Sequence, residues 1–468
     1  MHARRAQGLG LLAVGALLGC APAPAGTAAT TIAVVAEAQR EGDPAKGYDA
    51  LVNGEYVTCG IPESLFAKTI GEAPADLRLP GRTGRNEKLR YDYTAITAAN
   101  GAKLVSVNCL TCHAAVRDGK VVVGLGESQS DYTTDLAPFA EAAGQLVSDP
   151  AEKAEWRRWA DRVVTVQPYI LADTMGVNVA DNLAPILFTH RDQASLAWSA
   201  RPLLDPPPTQ VVPVDVPAWW HLKKKNSMFH TALGRGDQAR IMMSAALLCT
   251  DELSQAKRID QSFPDVRAYL LSLKPPAYPY PVDGALAATG HQVFDQTCAR
   301  CHGTYGEGGS YPNLVVVTEE VGTDPTLALA TSAASPTRRF NDWFNGSFYG
   351  ERARLVTTVG YVAPPLDGLW ATAPYFHNGS APTVADVLDS SHRPTFWTRD
   401  FSTYDFDRER LGFRFTDVGH GKADESDAAK RRAIYDTTRP GYGNHGHTYG
   451  DALSPAERAA LLEYLKTL

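Results

Sequence analysis

Methionine is scarce in this chain, which has five in 468 residues and none after Met243. Any cofactor bound by the later part of the chain must therefore take its ligands from other side chains. Beyond the N-terminus, no apolar stretch is long enough to span a bilayer. The formal net charge of −7 and the lack of a large basic patch exclude nucleic acid as a partner.

The N-terminal segment has the pattern of an export signal. Arginines at positions 4 and 5 precede an apolar run at 9–19, which is too short for a transmembrane span. The run ends in Leu-Leu-Gly-Cys20, which resembles a bacterial lipobox and predicts a lipoprotein signal peptide at 1–19; an ordinary signal peptide cut between 23 and 28 is the alternative. Both predict export to the periplasm or cell envelope, and the first predicts membrane contact through a lipid anchor at Cys20.

Two pentapeptides, 109–113 and 298–302, share the pattern Cys-x-x-Cys-His. In this pattern the two thiols bond to the vinyl groups of one haem, and the histidine binds its iron as the proximal ligand. A zinc site needs four ligands and no histidine at this offset, and a thioredoxin-like pair needs a βαβ context. The sequence therefore predicts two covalently bound haem c groups. Their predicted ligands are Cys109, Cys112 and His113 for the first, and Cys298, Cys301 and His302 for the second.

Two cysteines remain after the lipid and the haem groups are assigned, Cys59 and Cys249. An even pair in an oxidising compartment predicts a disulfide bond between them. Two separate buried thiols are the alternative.

The chain is predicted to be mainly α, with two tandem cytochrome c-like haem domains and long loops rich in proline, glycine and aromatic residues. Proline-rich residues separate the two domains, and similar apolar helices, 269–273 and 464–468, close them. The predicted units are a flexible tether at 20–45, a first haem domain at 46–274, a linker at 275–283 and a second haem domain at 284–468. Helices are predicted at 90–113, 149–166, 236–249, 262–273, 284–300 and 454–467, and a strand at 120–123.

The ligand on the far side of each iron distinguishes an electron carrier from an enzyme. Because no methionine follows Met243, the second haem has two histidine ligands, an open position, a tyrosine ligand or a ligand from the first domain. We predict His447 as the ligand, because it lies in a glycine-flanked loop that can approach a flat macrocycle. His445 is the alternative ligand. Alternatively, the segment is a surface loop that binds no haem. His377, in a tight turn, is expected to form hydrogen bonds near the haem.

Two aromatic segments, 219–221 and 228–230, are candidates for the pocket of the first haem. An apolar cluster over an open iron would exclude water, which makes His113, Trp220, Phe229 and His230 the candidate catalytic residues. The same cluster could be ordinary core, and ligation by Met228 or His230 would make this haem an electron-transfer centre. The lysines at 223–225 are expected on a solvated face, with an acidic partner or haem propionates as alternative contacts.

Several segments resemble the diheme bacterial cytochrome c peroxidase superfamily, and within it the diheme rubber (polyisoprene) oxygenases. They are the two haem motifs, 219–225, 234–237, 364–380 and 446–450. The resemblance implies one haem ligated by both His302 and His447, and a second, on His113, with an open face. It also implies that Arg235 and Arg240 bind haem propionates. A calcium ion could lie between the haem units by the same analogy, although no ligand cluster marks a site.

The sequence therefore leaves three competing functions. The first is a haem-dependent oxidoreductase of the diheme peroxidase-like class, in which one haem reacts with a small oxidant, peroxide or dioxygen, and the other relays electrons. The second is a non-catalytic carrier between a periplasmic or membrane electron donor and an acceptor. The third is an oxygenase of an apolar, polyisoprene-like substrate.

Overall fold

The computed structural model describes residues 30–468, so the predicted signal peptide and Cys20 lie outside the described residues. Helix accounts for 40% of the structure and strand for 13%. The prediction of a mainly α fold is therefore correct only in part, because short strands and irregular segments make up much of the chain. No helix within 30–468 has both the length and the apolar character needed to cross a membrane.

Sixteen α-helices, α1 to α16 in chain order, occur within residues 30–468, together with short 3₁₀ turns. They cover Pro44–Asn53, Glu63–Thr69, Leu110–His113, Ala137–Ala142, Pro150–Ile170, Ala180–Thr189, Gln238–Met242, Leu253–Ser272, Gly284–Thr297, Ala299–His302, Thr318–Val321, Thr326–Ala330, Arg338–Gly346, Val384–Leu388, Ala428–Ala433 and Pro455–Leu465.

Fifteen strands, β1 to β15, form small two- and three-stranded sheets in the same part of the chain. In chain order they cover Thr31–Ala33, Ile61–Pro62, Tyr93–Thr97, Lys103–Val107, Ala114–Arg117, Lys120–Val123, Gly234–Gly236, Leu314–Val317, Ala353–Leu355, Gly360–Val362, Phe396–Thr398, Phe406–Asp407, Gly412–Phe413, Thr416–Asp417 and Tyr435–Asp436.

The predicted helices with the clearest end signals are present. Ser454 and Glu457 form a reciprocal capping box at the start of α16, with Pro455 at its first position. Asp149 caps α5 by accepting a hydrogen bond from the amide of Glu152, and Pro150 follows it. Helix α9 begins at its predicted position, α8 begins nine residues before the predicted helix at 262–273, and β6 matches the predicted strand at 120–123.

The helix predicted at 90–113 is wrong over most of its length. Strands β3 and β4 pair there as an antiparallel hairpin, with Tyr93 opposite Val107 and Thr97 opposite Lys103. Both strands are rich in β-branched residues, which favour extended backbone. The helix at 236–249 is also shorter than predicted, because α7 ends at Met242 and a 3₁₀ turn follows.

The two halves of the chain are interleaved, although each retains a helix pair beside its haem motif. Helix α1 packs on α8 in the first half, and α16 packs on α9 in the second. Strand β1 pairs with β8, and β7 pairs with β9, so strands from the first half complete sheets in the second. Residues 275–283 contain no helix or strand, as expected of a linker.

The predicted tether is wrong for residues 30–45. Strand β1 is paired along its length, and Arg40 forms ion pairs with Asp237 and Asp260. These contacts come from residues about two hundred positions away, so composition alone could not reveal them.

The predicted disulfide is present. Cys59 and Cys249 are bonded, with their Cα atoms 5.3 Å apart, and both residues are fully buried. The bond joins the start of the first half to the segment before α8.

Candidate haem-binding site

His302 is the last residue of α10, the short helix that continues α9. Its Nδ1 donates a hydrogen bond to the carbonyl oxygen of Pro364 at 2.8 Å. This contact sets the tautomer and leaves Nε2 as the nitrogen that can bind a metal. Burial lowers the pKa of His302, so the ring is neutral, as metal ligation requires.

His447 faces His302 across a gap that fits one metal ion. The ring centroids are 6.2 Å apart, and the planes are inclined by 62°. Two imidazoles that bind one metal from opposite sides, each through a nitrogen at about 2 Å, have centroids roughly 6 Å apart. Burial lowers the pKa of His447 to about 3. The donor set therefore fits a haem iron with two histidine ligands.

The loop that carries His447 approaches the rest of the protein closely. Gly446 has φ of +74°, and a Cβ on it would lie 2.1 Å from the carbonyl carbon of Gly322. The amide of His447 donates to the carbonyl oxygen of Val321 at 2.6 Å. His445, the alternative ligand, is exposed on the same loop, and among the described residues the ring contact of His302 is with His447.

The first motif forms the short helix α3, which is tied to the surrounding core. The amide of Cys109 donates to the hydroxyl of Tyr56 at 3.2 Å. The sulfur of Cys112 lies 3.3 Å from Nδ2 of Asn178 and 3.6 Å from the hydroxyl of Tyr132. Both cysteines are free thiols, as haem attachment requires.

His113 is stacked against the face of an aromatic side chain. The ring of Trp219 stacks on it, with centroids 4.5 Å apart and planes inclined by 19°. Burial lowers the pKa of His113 to about 3, and its Nδ1 has no hydrogen-bond partner. Among the described residues, no histidine ring pairs with His113 as His447 pairs with His302.

Trp220 does not occupy the predicted position over the first haem. It is fully buried, and its Nε1 donates to the carbonyl oxygen of Asp367 at 2.8 Å. Its side chain packs in a core formed mainly by the second half of the chain. Consecutive residues of this turn point to different sides, so Trp219 rather than Trp220 contacts the haem motif.

Phe229 and His230 are two of the predicted catalytic residues, but no hydrogen bond or ring contact within residues 30–468 joins either of them to the first haem motif. Phe229 has φ of +69° and is 38% exposed. Nε2 of His230 is hydrogen-bonded to the carbonyl oxygen of Asp215 at 2.7 Å, and burial lowers the pKa of this histidine to about 4. Met228 packs against the clusters that contain Cys109.

His377 is buried, but against other partners than predicted. Its ring stacks on Tyr361, with centroids 3.9 Å apart, and lies 6.5 Å from the ring of His230. Its neighbour Phe376 lies 5.8 Å from the ring of His447. The turn therefore contributes Phe376, rather than His377, to the surroundings of the second motif.

The two predicted propionate ligands differ in availability. Arg240 is buried and binds both oxygens of Asp260 at 2.9 Å, and it also donates to the carbonyl oxygen of Phe348. Its donors are occupied, so the structure does not support a propionate contact for Arg240. Arg235 uses its Nε for the carbonyl oxygen of Ala232 at 2.7 Å and retains its terminal nitrogens.

The lysines at 223–225 do not share one solvated face. Lys223 is exposed, whereas Nζ of Lys224 binds the carboxylate of Asp367 at 2.7 Å. Burial lowers the pKa of Lys225 to about 8. The prediction of a solvated face is therefore correct for Lys223 alone, because Lys224 is paired with Asp367 in the second half of the chain and Lys225 is partly buried.

One segment connects the two histidine sites. The carbonyl oxygen of Asp367 accepts hydrogen bonds from Trp220 and from Nε2 of His221, each at 2.8 Å. Pro364, three residues earlier, holds His302 through its own carbonyl oxygen. The turn that places Trp219 on His113 is thus bonded to the segment that orients His302.

A calcium site has no support among residues 30–468, where no group of three or more histidine, cysteine, aspartate or glutamate residues is arranged to hold a metal. The sequence pattern pointed to the segment 219–221 but not to the individual role of Trp219, for which the doubled tryptophan was the available signal. Tyr132 and Asn178, which contact Cys112, were not singled out, because they lie 20 and 66 positions from it.

Comparison with known proteins supports the haem motif assignment in the second half. A cytochrome c family model matches residues 287–354, and a model described as RoxA-like, cytochrome c-like matches 360–398. The uncharacterized protein y4iJ of Sinorhizobium fredii is 29% identical over 42% of this chain, and the uncharacterized protein y4iM of the same organism is 29% identical over 43%. This chain covers 41% and 53% of their respective lengths. The matches indicate cytochrome c-like regions within residues 287–398, one of them RoxA-like, and because cytochrome c domains hold haem through thioether bonds, they support a c-type cytochrome with covalently bound haem c.

Proposed function

We propose that this chain is an exported diheme oxidoreductase of the peroxidase-like class. Its two haem sites have different tasks: the site at His302 and His447 relays electrons, and the site at His113 carries out the chemistry. The observation that carries the proposal is the difference between the two histidines. His302 faces a second imidazole at 6.2 Å, whereas His113 is stacked by an indole.

Haem c, when bound, supplies an iron that exchanges electrons and, where an axial position is free, binds a small oxidant. At the second site, His302 and His447 would hold the iron through imidazole nitrogens, and the Pro364 carbonyl keeps His302 in the tautomer that leaves Nε2 free. Two fixed neutral imidazoles favour fast electron exchange, since little has to move when the charge on the iron changes.

At the first site, the protein supplies one imidazole and an apolar surround. Trp219 limits rotation of the His113 ring, and Met228 packs against the same hydrophobic clusters as Cys109. An apolar wall of this kind excludes water from an open position, which strengthens electrostatic interactions there. His230 is neutral and its Nε2 donates to the Asp215 carbonyl, but among the described residues its ring contacts His377 rather than His113.

A non-catalytic electron carrier is the second candidate, and one observation favours it. Met228 packs against the clusters that contain Cys109, so its thioether lies on the side of the first motif. If that sulfur ligated the first iron, both haems would be six-coordinate.

An oxygenase of an apolar substrate is the third candidate. The RoxA-like match at 360–398 and the 38% exposure of Phe229 favour it. Peroxide or dioxygen would be the oxidant in either enzyme. A periplasmic or membrane redox partner would exchange electrons at the second site, and a lipid at Cys20 would keep the protein at the cell envelope.

Electron paramagnetic resonance of the purified holoprotein tests the proposal directly. We expect two haems per chain, one low-spin and one high-spin, and binding of carbon monoxide by the reduced protein at one haem. Two low-spin haems in every redox state, without carbon monoxide binding, would establish the carrier instead. A haem content of one per chain would contradict both.

A further inference from the structure

Arg393 is a half-buried cation whose hydrogen bonds all go to backbone carbonyl groups. It follows the 3₁₀ turn Ser390–His392, and among the described residues no carboxylate forms an ion pair with it. Its donors reach two segments of the chain. Nε binds the carbonyl oxygen of Asp386 at 2.8 Å, Nη1 binds those of Asn444 at 2.7 Å and Gly446 at 2.6 Å, and Nη2 binds those of Val387 at 3.1 Å and His447 at 3.2 Å.

These contacts connect a helix end to the loop that carries His447. Asp386 and Val387 belong to the last turn of α14, where carbonyl groups have no partner within the helix. Three carbonyl groups of the loop at 444–447 bind the other side of the same guanidinium. A planar group with five donors suits this arrangement, whereas the single ammonium of a lysine could not reach both segments in the same way.

The guanidinium is also held from a third side. Its central carbon lies 5.0 Å from the centre of the Phe376 ring, and that ring lies 5.8 Å from the ring of His447. Arg393, Phe376 and His447 therefore pack as one group. A change in the position of the guanidinium must move the loop, the phenyl ring or both.

The loop needs such support because its backbone is unfavourable in isolation. Gly446 has φ of +74° and His447 has φ of +46°. A residue with a Cβ, such as His447, is strained in the left-handed region, whereas glycine is not. Without Arg393, the loop carbonyl groups of Asn444, Gly446 and His447 would lose a shared donor, and the loop would keep the hydrogen bonds from His447 to Val321 and from Asn444 to Pro394.

We propose that Arg393 is the positioning residue that holds His447 in place as the second axial ligand of the second haem. The inference rests on the proposed ligation by His302 and His447. It goes further, because it makes the second ligand of that iron depend on Arg393, a residue that does not contact the iron. Arg393 acts through the backbone of the ligand loop and not through the imidazole ring.

The test uses the full-length holoprotein with Arg393→Met, Arg393→Lys and His447→Gly. Methionine keeps much of the side-chain volume but removes every hydrogen-bond donor. Lysine keeps the positive charge but lacks the planar guanidinium with its five donors. We expect Arg393→Met to convert a major fraction of the second haem from low-spin to high-spin, to permit carbon monoxide binding there, and to regain the low-spin signal when imidazole is added. Arg393→Lys should give an intermediate fraction. Arg414→Met is the matched control, because Arg414 is exposed and binds only carboxylates.

The outcomes separate this inference from the proposed function. If His447→Gly leaves the second haem low-spin, the proposed ligation fails and the inference fails with it. If His447→Gly changes the spin state but Arg393→Met does not, the ligation stands and the positioning role is refuted. A shift in reduction potential of Arg393→Met without a change of spin state would show that Arg393 acts only through its charge, and would also overturn the inference.

Discussion

The indole of Trp219 and the imidazole of His113 form a stacked pair, with centroids 4.5 Å apart. Such pairs contribute about 0.5–1.5 kcal/mol beyond the buried area. We therefore expect Trp219→Leu to loosen His113 and to change the g-values of the first haem, while the second haem keeps its signal. Trp219→Phe retains an aromatic ring and is the matched control. An unchanged first-haem spectrum in the leucine variant would show that the stack does not orient the ligand.

Gly446 is the glycine whose substitution should disturb the second haem most. A Cβ there would lie 2.1 Å from a backbone carbon of Gly322, with φ of +74°, so Gly446→Ala must displace the ligand loop. We expect a loss of low-spin signal and a decrease in the free energy of unfolding well above 1 kcal/mol. Gly419→Ala is the control, because Gly419 has φ of +68° and no atom within 4 Å, so only the backbone cost of about 1 kcal/mol applies. Equal losses in the two variants would contradict the prediction.

The Cys59–Cys249 disulfide should stabilise the fold against unfolding. It joins residues 190 positions apart, and removal of a native disulfide typically costs about 2–5 kcal/mol. We expect the double variant Cys59→Ala/Cys249→Ala to unfold at a lower denaturant concentration, and the wild-type protein to approach the same midpoint once reduced. Identical midpoints for oxidised wild type and double variant would refute a stabilising role.

Because Lys422 is buried, we expect the free energy of unfolding to depend on pH in the alkaline range. The residue is 6% exposed, its Nζ donates to the carbonyl oxygens of Asp173 and Arg431 at 2.7 Å, and burial lowers its pKa to about 8. An unfolded lysine has a pKa near 10.4, so between about pH 8 and 10.4 the unfolded chain binds more protons and stability rises with pH. The full gain is about 1.4 kcal/mol for each unit by which the pKa is lowered.

The measurement is the free energy of unfolding at several pH values for wild type and Lys422→Met. We expect the difference, wild type minus variant, to increase between pH 8 and 10.4 and to stay constant below pH 8. Lys223→Met is the control, since Lys223 is exposed. A difference that does not change with pH would mean that the ammonium of Lys422 is charged without penalty.

Much of the local structure was predictable because its signals lie close together in sequence. The capping box at Ser454 and the proline-broken linker at 275–283 each need only a few neighbouring residues, and both are present. The hairpin at 93–107 was not predicted, because its alternation competes with a helical spacing of apolar residues and tertiary pairing decides between them.

The candidate site divides in the same way. His447 was expected as a ligand from its glycine-flanked loop, and the structure places it opposite His302. Trp220 was predicted to line the first haem pocket, whereas Trp219 contacts His113. The sequence could not distinguish the two, because adjacent tryptophans in a turn look alike in sequence although their side chains point to different sides. Arg240 carried the right charge for a propionate, but its partners Asp260 and Phe348 are distant in sequence.

The sequence by itself determined where haem attachment is predicted. Cys-x-x-Cys-His brings two thiols and an imidazole to one helical turn, so the prediction needs only five adjacent residues at each motif. Only the tertiary structure decided what faces each histidine. His447 lies opposite His302, Trp219 lies against His113, and Arg393 holds the ligand loop. These relationships join residues tens to more than a hundred positions apart, and packing and backbone hydrogen bonds, which no local pattern encodes, bring them together.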